Sequence, residues 1–291
     1  MTWFDRTGKS LGAAGEPDAG DLNYPELSPD GRRVALNRTV GNNPDVWLLD
    51  LVRGGFARFT FGAGADYHPL WSPDATRVAF ASPRKGPINL YMKPSSGVGA
   101  EELLLESPNI KIPQDWSKDG RFLLYYEVDP KTGRDLWALP MTGSERKPRV
   151  VANTAFDERH GQFSPDGRFV AYATDESGRF EIVVQPFPEA SGKWAVSTAG
   201  GAQPRWRADG RELYFLAPDG KMMAVPIREN GSVLEVGTPV ALFATRIVEG
   251  SAANFRPQYA VSRDGRFLIL QPAEEATASP ITILLNWKPD S

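Results

Sequence analysis

The chain holds two histidines, His68 and His160, and each stands two residues after an acid, in Asp66-Tyr67-His68 and Glu158-Arg159-His160. An imidazole beside a carboxylate is equipped for proton transfer or for holding a divalent ion. Both histidines also sit three residues before an aromatic that opens a Ser-Pro-Asp turn, Trp71 in one case and Phe163 in the other. The same count before related turns picks out Tyr24, Pro113, Gln203 and Gln258. Glu26, Asp115, Gln162 and Arg205 lie two residues further along, and Gln114 lies between Pro113 and Asp115. Polar and titratable groups that converge in this way make a binding or catalytic site. Its expected parts are His68 and His160 as catalytic proton carriers, and Tyr24, Glu26, Gln114, Gln162, Gln203, Arg205 and Gln258 as ligand-binding groups. Glu26, Asp66, Asp115 and Glu158 are the expected metal ligands, since calcium takes oxygen donors at about 2.3–2.6 Å. The plainer reading is a channel wall that tolerates polar groups around trapped water.

Two further motifs carry a nucleophile pattern. Gly8-Lys9-Ser10-Leu11-Gly12 matches Gly-x-Ser-x-Gly, which needs a strand before it and a helix after it, and Ala13-Ala14-Gly15-Glu16-Pro17 is poor helix sequence. Ser82-Pro83-Arg84-Lys85 matches Ser-x-x-Lys without its companion motifs. Arg32, Arg121, Arg168, Arg211 and Arg266 each follow a turn aspartate by two residues. That spacing suits local Asp–Arg pairs better than an anion-binding ring. Trp71, Trp116 and Trp206 share one position and read as core.

The elements that must position these groups come from one repeated phrase. Phe163-Ser164-Pro165-Asp166-Gly167-Arg168 ends one strand in an aromatic, turns on Pro, Asp and Gly, and leaves into an apolar run. Related phrases place turn aspartates at 30, 74, 119, 166, 209 and 264, a period of 43 to 47 residues until a last step of 55. Each full repeat reads as four short strands with Gly/Pro/Asp turns, and nothing reads as a long amphipathic helix. The expectation is all-β: a single domain over residues 1–291, a six-bladed β-propeller of four-stranded antiparallel blades. A β-sandwich is the alternative, but it needs no fixed period. The sixth repeat offers Gln258–Ser262, Phe267–Gln271 and Ile281–Trp287, one strand short. Trp3–Arg6 is therefore expected to pair with it and close the ring, leaving no open edge.

Composition narrows the partners. Lys+Arg 33 against Asp+Glu 36 gives a net charge of −3, which disfavours a nucleic-acid partner. There is no cysteine, hence no disulfide and no thiolate chemistry. No apolar run reaches the roughly 18 residues of a membrane helix. A soluble monomer is expected.

With its Ser-Pro-Asp-Gly-type turns in register, the chain resembles the TolB-type propellers built from PD40 repeats. Trp3-Phe4-Asp5-Arg6-Thr7-Gly8-Lys9, Asp45-Val46-Trp47-Leu48-Leu49-Asp50-Leu51, Asp175-Glu176-Ser177-Gly178-Arg179-Phe180-Glu181 and Ile281-Thr282-Ile283-Leu284-Leu285-Asn286-Trp287 resemble segments of propellers fused behind bacterial receptor-type serine/threonine kinases. That resemblance implies a non-catalytic sensor taking a small molecule, peptide or protein at the channel mouth, and an extracytoplasmic location if it is a receptor's sensor. Likeness to other six-bladed propellers implies the alternative, a calcium-type hydrolase of esters, lactones or phosphotriesters with a divalent cation in the central channel.

Overall fold

The computed structural model describes residues 1–16, 18, 20–62, 64–143, 146–230, 233–247 and 257–271. The chain opens with β1 (Thr2–Phe4) and β2 (Ser10–Ala13), then builds blade one from β3 (Asp21–Leu27), β4 (Arg33–Val40), β5 (Asn43–Asp50) and β6 (Phe56–Arg58). Blade two is β7 (Tyr67–Trp71), β8 (Arg77–Ser82), β9 (Asn89–Pro94) and β10 (Glu102–Leu105). Blade three is β11 (Lys111–Trp116), β12 (Phe122–Asp129), β13 (Gly133–Pro140) and β14 (Arg149–Ala152). Blade four is β15 (Glu158–Phe163), β16 (Phe169–Thr174), β17 (Glu181–Pro186) and β18 (Trp194–Ala195). Blade five is β19 (Ala202–Trp206), β20 (Glu212–Leu216), β21 (Lys221–Asn230) and β23 (Val240–Ala244), with β22 (Val233–Val236) paired to the far end of β21. That extra hairpin supplies part of the longer last step between turn aspartates. The sixth blade joins β24 (Tyr259–Val261) and β25 (Phe267–Ile269) to the chain's beginning, in the order β24-β25-β1-β2.

Closure therefore occurs as expected, with Thr2, Trp3 and Phe4 opposite Ile269, Leu268 and Phe267. The N-terminus contributes two strands where sequence pattern suggested one. β2 is exposed along its whole length, so it carries no alternating apolar signal. The expected strand at Ile281–Trp287 lies outside the described residues. Neighbouring innermost strands pack around the ring, ending with β24 against β3. No helix among the described residues is long and apolar enough to cross a membrane.

Each interface between blades has its own core. Leu124, Leu136 and Tyr126 of blade three meet Val170 and Tyr172 of blade four. Leu213 and Phe215 meet Ala171 and Val184 across the next interface. At the closing interface Val34 and Leu36 pack on Leu268, with Trp3 beside them. Two of the three column tryptophans also tie blades together. Trp71 Nε1 donates to the Glu26 carbonyl at 3.0 Å, and Trp206 Nε1 donates to the Gln162 carbonyl at 3.3 Å.

The repeated turn explains its own composition. Gly167 N donates to the Ser164 carbonyl at 2.8 Å, closing the turn. The Ser164 hydroxyl donates to Asp166 at 2.6 Å and accepts from Phe169 N at 3.0 Å. Serine thus bridges the turn to the next strand, and aspartate fixes the serine. The same pattern recurs at Ser28, Ser72 and Ser117. Gly31, Gly120, Gly167, Gly210 and Gly265 all have φ > 0, as the turn requires.

Candidate functional site in the central channel

The innermost strands of five blades are interrupted at one shared position. Register shifts fall between Asn23 and Glu26, Tyr67 and Leu70, Pro113 and Asp115, Arg159 and Gln162, and Ala202 and Arg205. Such bulges re-aim side chains. Tyr24, His68, His160 and Gln203 take φ of 55°, 50°, 57° and 56° at these bulges. Pro113 holds the same position in blade three, where its ring fixes φ at a negative value.

Tyr24, Glu26, His68, Gln114, His160, Gln162, Gln203 and Arg205 all line one narrow cavity of about 30 Å³ in the channel. The Tyr24 and His68 rings lie against each other with centroids 3.5 Å apart. His68 N donates to Asn37 Oδ1 at 2.9 Å, and His160 Nδ1 accepts from Gln203 N at 3.4 Å. Gln258 lies just outside this lining and is paired to it: its N–H donates to Gln203 Oε1 at 2.9 Å, and Gln203 Nε2 donates to its Oε1 at 3.2 Å.

The channel widens at the other end of the inner strands. A funnel of about 730 Å³ opens among the Ser-Pro-Asp-Gly turns. Glu26, Gln162 and Arg205 line both spaces and form the waist between them. Arg205 Nη2 lies 3.4 Å from Glu26 Oε2. Burial pushes the Glu26 carboxyl up; Arg205 and Lys118 partly offset this, and the nearby Asp115 adds to it. Burial also raises the Asp115 carboxyl, against Lys118 and a 2.7 Å hydrogen bond accepted from Phe163 N.

The four expected metal carboxylates do not share one centre. Glu26 and Asp115 face the funnel. Asp66 is fully buried and takes two hydrogen bonds from Arg84, at 2.7 and 2.8 Å. Glu158 accepts from the Thr154 hydroxyl, and burial lifts its carboxyl to about 7. Among the described residues no group of three or more His, Asp or Glu side chains is arranged to hold an ion. The donor set does not fit a common calcium.

The nucleophile patterns separate as well. Ser10 starts the exposed outer strand β2, with no helix after it among the described residues. Ser82 is buried, and its Oγ accepts from Arg84 Nε at 2.8 Å. Among the turn arginines, Arg121, Arg168 and Arg266 pair with Asp119, Asp166 and Asp264.

Two funnel groups escaped the sequence reading, Lys118 and Arg263. The second residue of each turn lines the funnel: Pro29, Pro73, Lys118, Pro165, Ala208 and Arg263. A cation in place of proline looked like a loose copy of the repeat. That departure was the available signal.

A family model described as the TolB beta propeller domain, PD40, matches residues 18–206. The chain belongs to this family. A putative TolB from Agrobacterium tumefaciens superposes with a TM-score of 0.64 at 18% identity, covering 82% of this chain and 88% of that one. An oligogalacturonate lyase in complex with manganese superposes with a TM-score of 0.60 at 15% identity, covering 95% and 85%. Both likenesses are of fold. In sequence, the uncharacterized peptidase YuxL of Bacillus subtilis is 31% identical over 107 residues, 34% of this chain and 16% of that protein. The chain spans between 11% and 37% of the curated relatives it matches.

Proposed function

We propose that this PD40 propeller is a non-catalytic binding module whose binding surface is the funnel at the Ser-Pro-Asp-Gly face. The observation that carries this reading is the channel's shape: about 730 Å³ at the funnel against about 30 Å³ beyond the waist. The funnel is in the size range of ligand sites. Protein or peptide segments are the proposed partners, and the resemblance to receptor-kinase sensors favours a sensing role. Immobilised protein should capture members of a random peptide library, and Lys118→Glu with Arg263→Glu should reduce capture at least tenfold. Capture unchanged by that charge reversal would remove the funnel from the proposal.

The second reading is a divalent-cation-assisted hydrolase. It is favoured by His68 and His160 lining one cavity. Its test is turnover of aryl ester, lactone and phosphotriester substrates, with and without chelator. Under this reading His68→Ala or His160→Ala cuts turnover roughly 10²-fold. Chelator-insensitive activity, or none, eliminates it.

A further inference from the structure

We propose that the funnel seats the free carboxylate end of an extended peptide, with Arg205 at its floor receiving the carboxylate. This inference rests on the binding-module reading and names the ligand chemistry of that site.

Arg205 is the central observation. Its side chain is 11% exposed, yet among the described residues it makes one ion pair, to Glu26 at 3.4 Å, and no hydrogen bond. A guanidinium has five N–H donors in a planar fork that matches a carboxylate. Here that fork faces a cavity with its donors unspent.

The waist residues explain why a singly charged end is favoured. Glu26, Asp115 and Arg205 come from blades one, three and five, and Leu70, Gln162 and Ala260 hold the same position in the blades between. Two carboxyls beside one guanidinium would repel a doubly charged phosphate. A monoanionic carboxylate can replace Glu26 on Arg205 while Glu26 takes up a proton. One side-chain amide lines the funnel beside Arg205: Gln162 Nε2 donates to the Gln114 carbonyl at 3.2 Å, leaving Gln162 Oε1 as an acceptor for a peptide N–H.

The entrance has the matching charge. Lys118 and Arg263 line the funnel and make no ion pair among the described residues. The other charged lining groups Asp264 and Arg266 pair with each other, and Asp30 accepts from Ser28. With Asp264 and Arg266 paired, the entrance carries Lys118 and Arg263 against the single carboxylate of Asp30, a surplus of one positive charge. Beyond Arg205 only about 30 Å³ is open, so a chain cannot pass through, and an extended segment that reaches Arg205 end-on stops there.

The charged groups around Glu26 are Arg205, Asp115 and Lys118. Arg205 is one of the influences lowering its pKa. A ligand carboxylate that draws Arg205 away lifts Glu26 further, so binding takes up a proton and tightens as pH falls.

The test uses N-acetyl-tetra-alanine as free acid and as C-terminal amide, followed by the indole NMR signal of Trp206, which lines the funnel. The free acid should bind at least tenfold more tightly than the amide, and more tightly at the acid end of a pH titration than at the alkaline end. Arg205→Gln should abolish the acid–amide difference. Glu26→Gln, which leaves Arg205 in place, should tighten the acid at the alkaline end and flatten its pH dependence. Acetate and a hexuronic acid form the small-molecule arm; either one binding as tightly as the tetrapeptide acid overturns the peptide assignment. Equal binding of acid and amide overturns the carboxylate assignment. If library capture still depends on Lys118 and Arg263 in that case, the binding module survives without it.

Discussion

In four of the six blades the two ends of the innermost strand meet the same backbone demand and answer it differently. At the turn end, six repeats place a residue at φ > 0, and five use glycine, with Ala75 the sixth. At the bulge end, four repeats place a residue at φ > 0, and none uses glycine. A left-handed residue with a side chain costs on the order of 1–2 kcal/mol. Glycine would remove that cost at either end. At the turn end nothing is lost by it, since Gly31, Gly120, Gly167 and Gly265 have open space where a Cβ would stand. At the bulge end it would delete Tyr24, His68, His160 or Gln203, the side chains that line the narrow cavity. The strain is thus kept where the side chains converge on the channel.

The comparison is most sharply tested within blade four, where both ends carry a glycine. Gly161 follows the bulge residue His160, and a Cβ there would lie 2.6 Å from Leu124 Cδ2 and 3.2 Å from Leu136 Cδ2. Both leucines are fully buried. Gly161→Val should cost about 3 kcal/mol by overpacking, read from urea unfolding. A cost below that of the same change at Gly167 would break the contrast between a packed end and an open one.

Glu158 begins the same strand at the bulge end. Burial lifts its carboxyl to about 7, with Asp135 and Asp157 adding to the rise and the Thr154 hydroxyl opposing it. An acid with a raised folded pKa binds its proton more tightly when folded. Its contribution is present below the unfolded value of roughly 4.5 and is lost as pH rises through about 7. Glu158→Gln should therefore stabilise the protein at pH 8 by roughly 2 kcal/mol, with the gain fading toward pH 5. A gain independent of pH would show that Glu158 is not the titrating group.

How far these two ends were legible in sequence follows from their chemistry. Ser-Pro-Asp-Gly turns repeat in type and spacing, so blade number, inner strands and ring closure could all be read from residues such as Asp166 and Gly167. The histidine column was legible because repeats align: Tyr24, His68, His160 and Gln203 line one cavity as the register implied. The bulge itself was not legible, because Tyr, His and Gln carry no signature of φ > 0 as glycine does. The pairing of Asp66 with Arg84 depends on a loop from the far side of β8, which no repeat position encodes. The funnel was missed because Lys118 and Arg263 read as imperfect copies of a proline. The hairpin of β21 and β22 was missed because it belongs to one blade alone.

The turn end itself yields smaller effects. Gly167 has φ of 74° and no atom within 4 Å of a would-be Cβ, so Gly167→Val meets only backbone strain. The expected loss is about 1–2 kcal/mol, roughly half the effect at Gly161. Equal costs at the two glycines would mean that backbone strain, not packing, governs both ends.

Ala75 is the exception at the turn end, and its substitution gives the smallest shift with an opposite sign. Its φ is 58°, and its N–H donates to the Ser72 carbonyl at 2.8 Å, as glycine does in the sister turns. Ala75→Gly relieves about 1–2 kcal/mol of left-handed strain. Against that, glycine gives the unfolded chain more freedom, costing about 0.4–1 kcal/mol. The lost methyl also gives up part of a contact with the core between blades one and two, where Ala75 is half-buried. The balance is a stabilisation of a few tenths to about 1 kcal/mol, seen as a higher denaturation midpoint at unchanged slope. The corresponding change at the bulge end, His160→Gly, relieves the same backbone term but forfeits an imidazole buried in the channel and its bond from Gln203 N. Ala75→Gly should therefore stabilise while His160→Gly does not. Stabilisation by both would show that the bulge side chains contribute nothing to the fold, leaving ligand contact as the sole reason for the strain they carry.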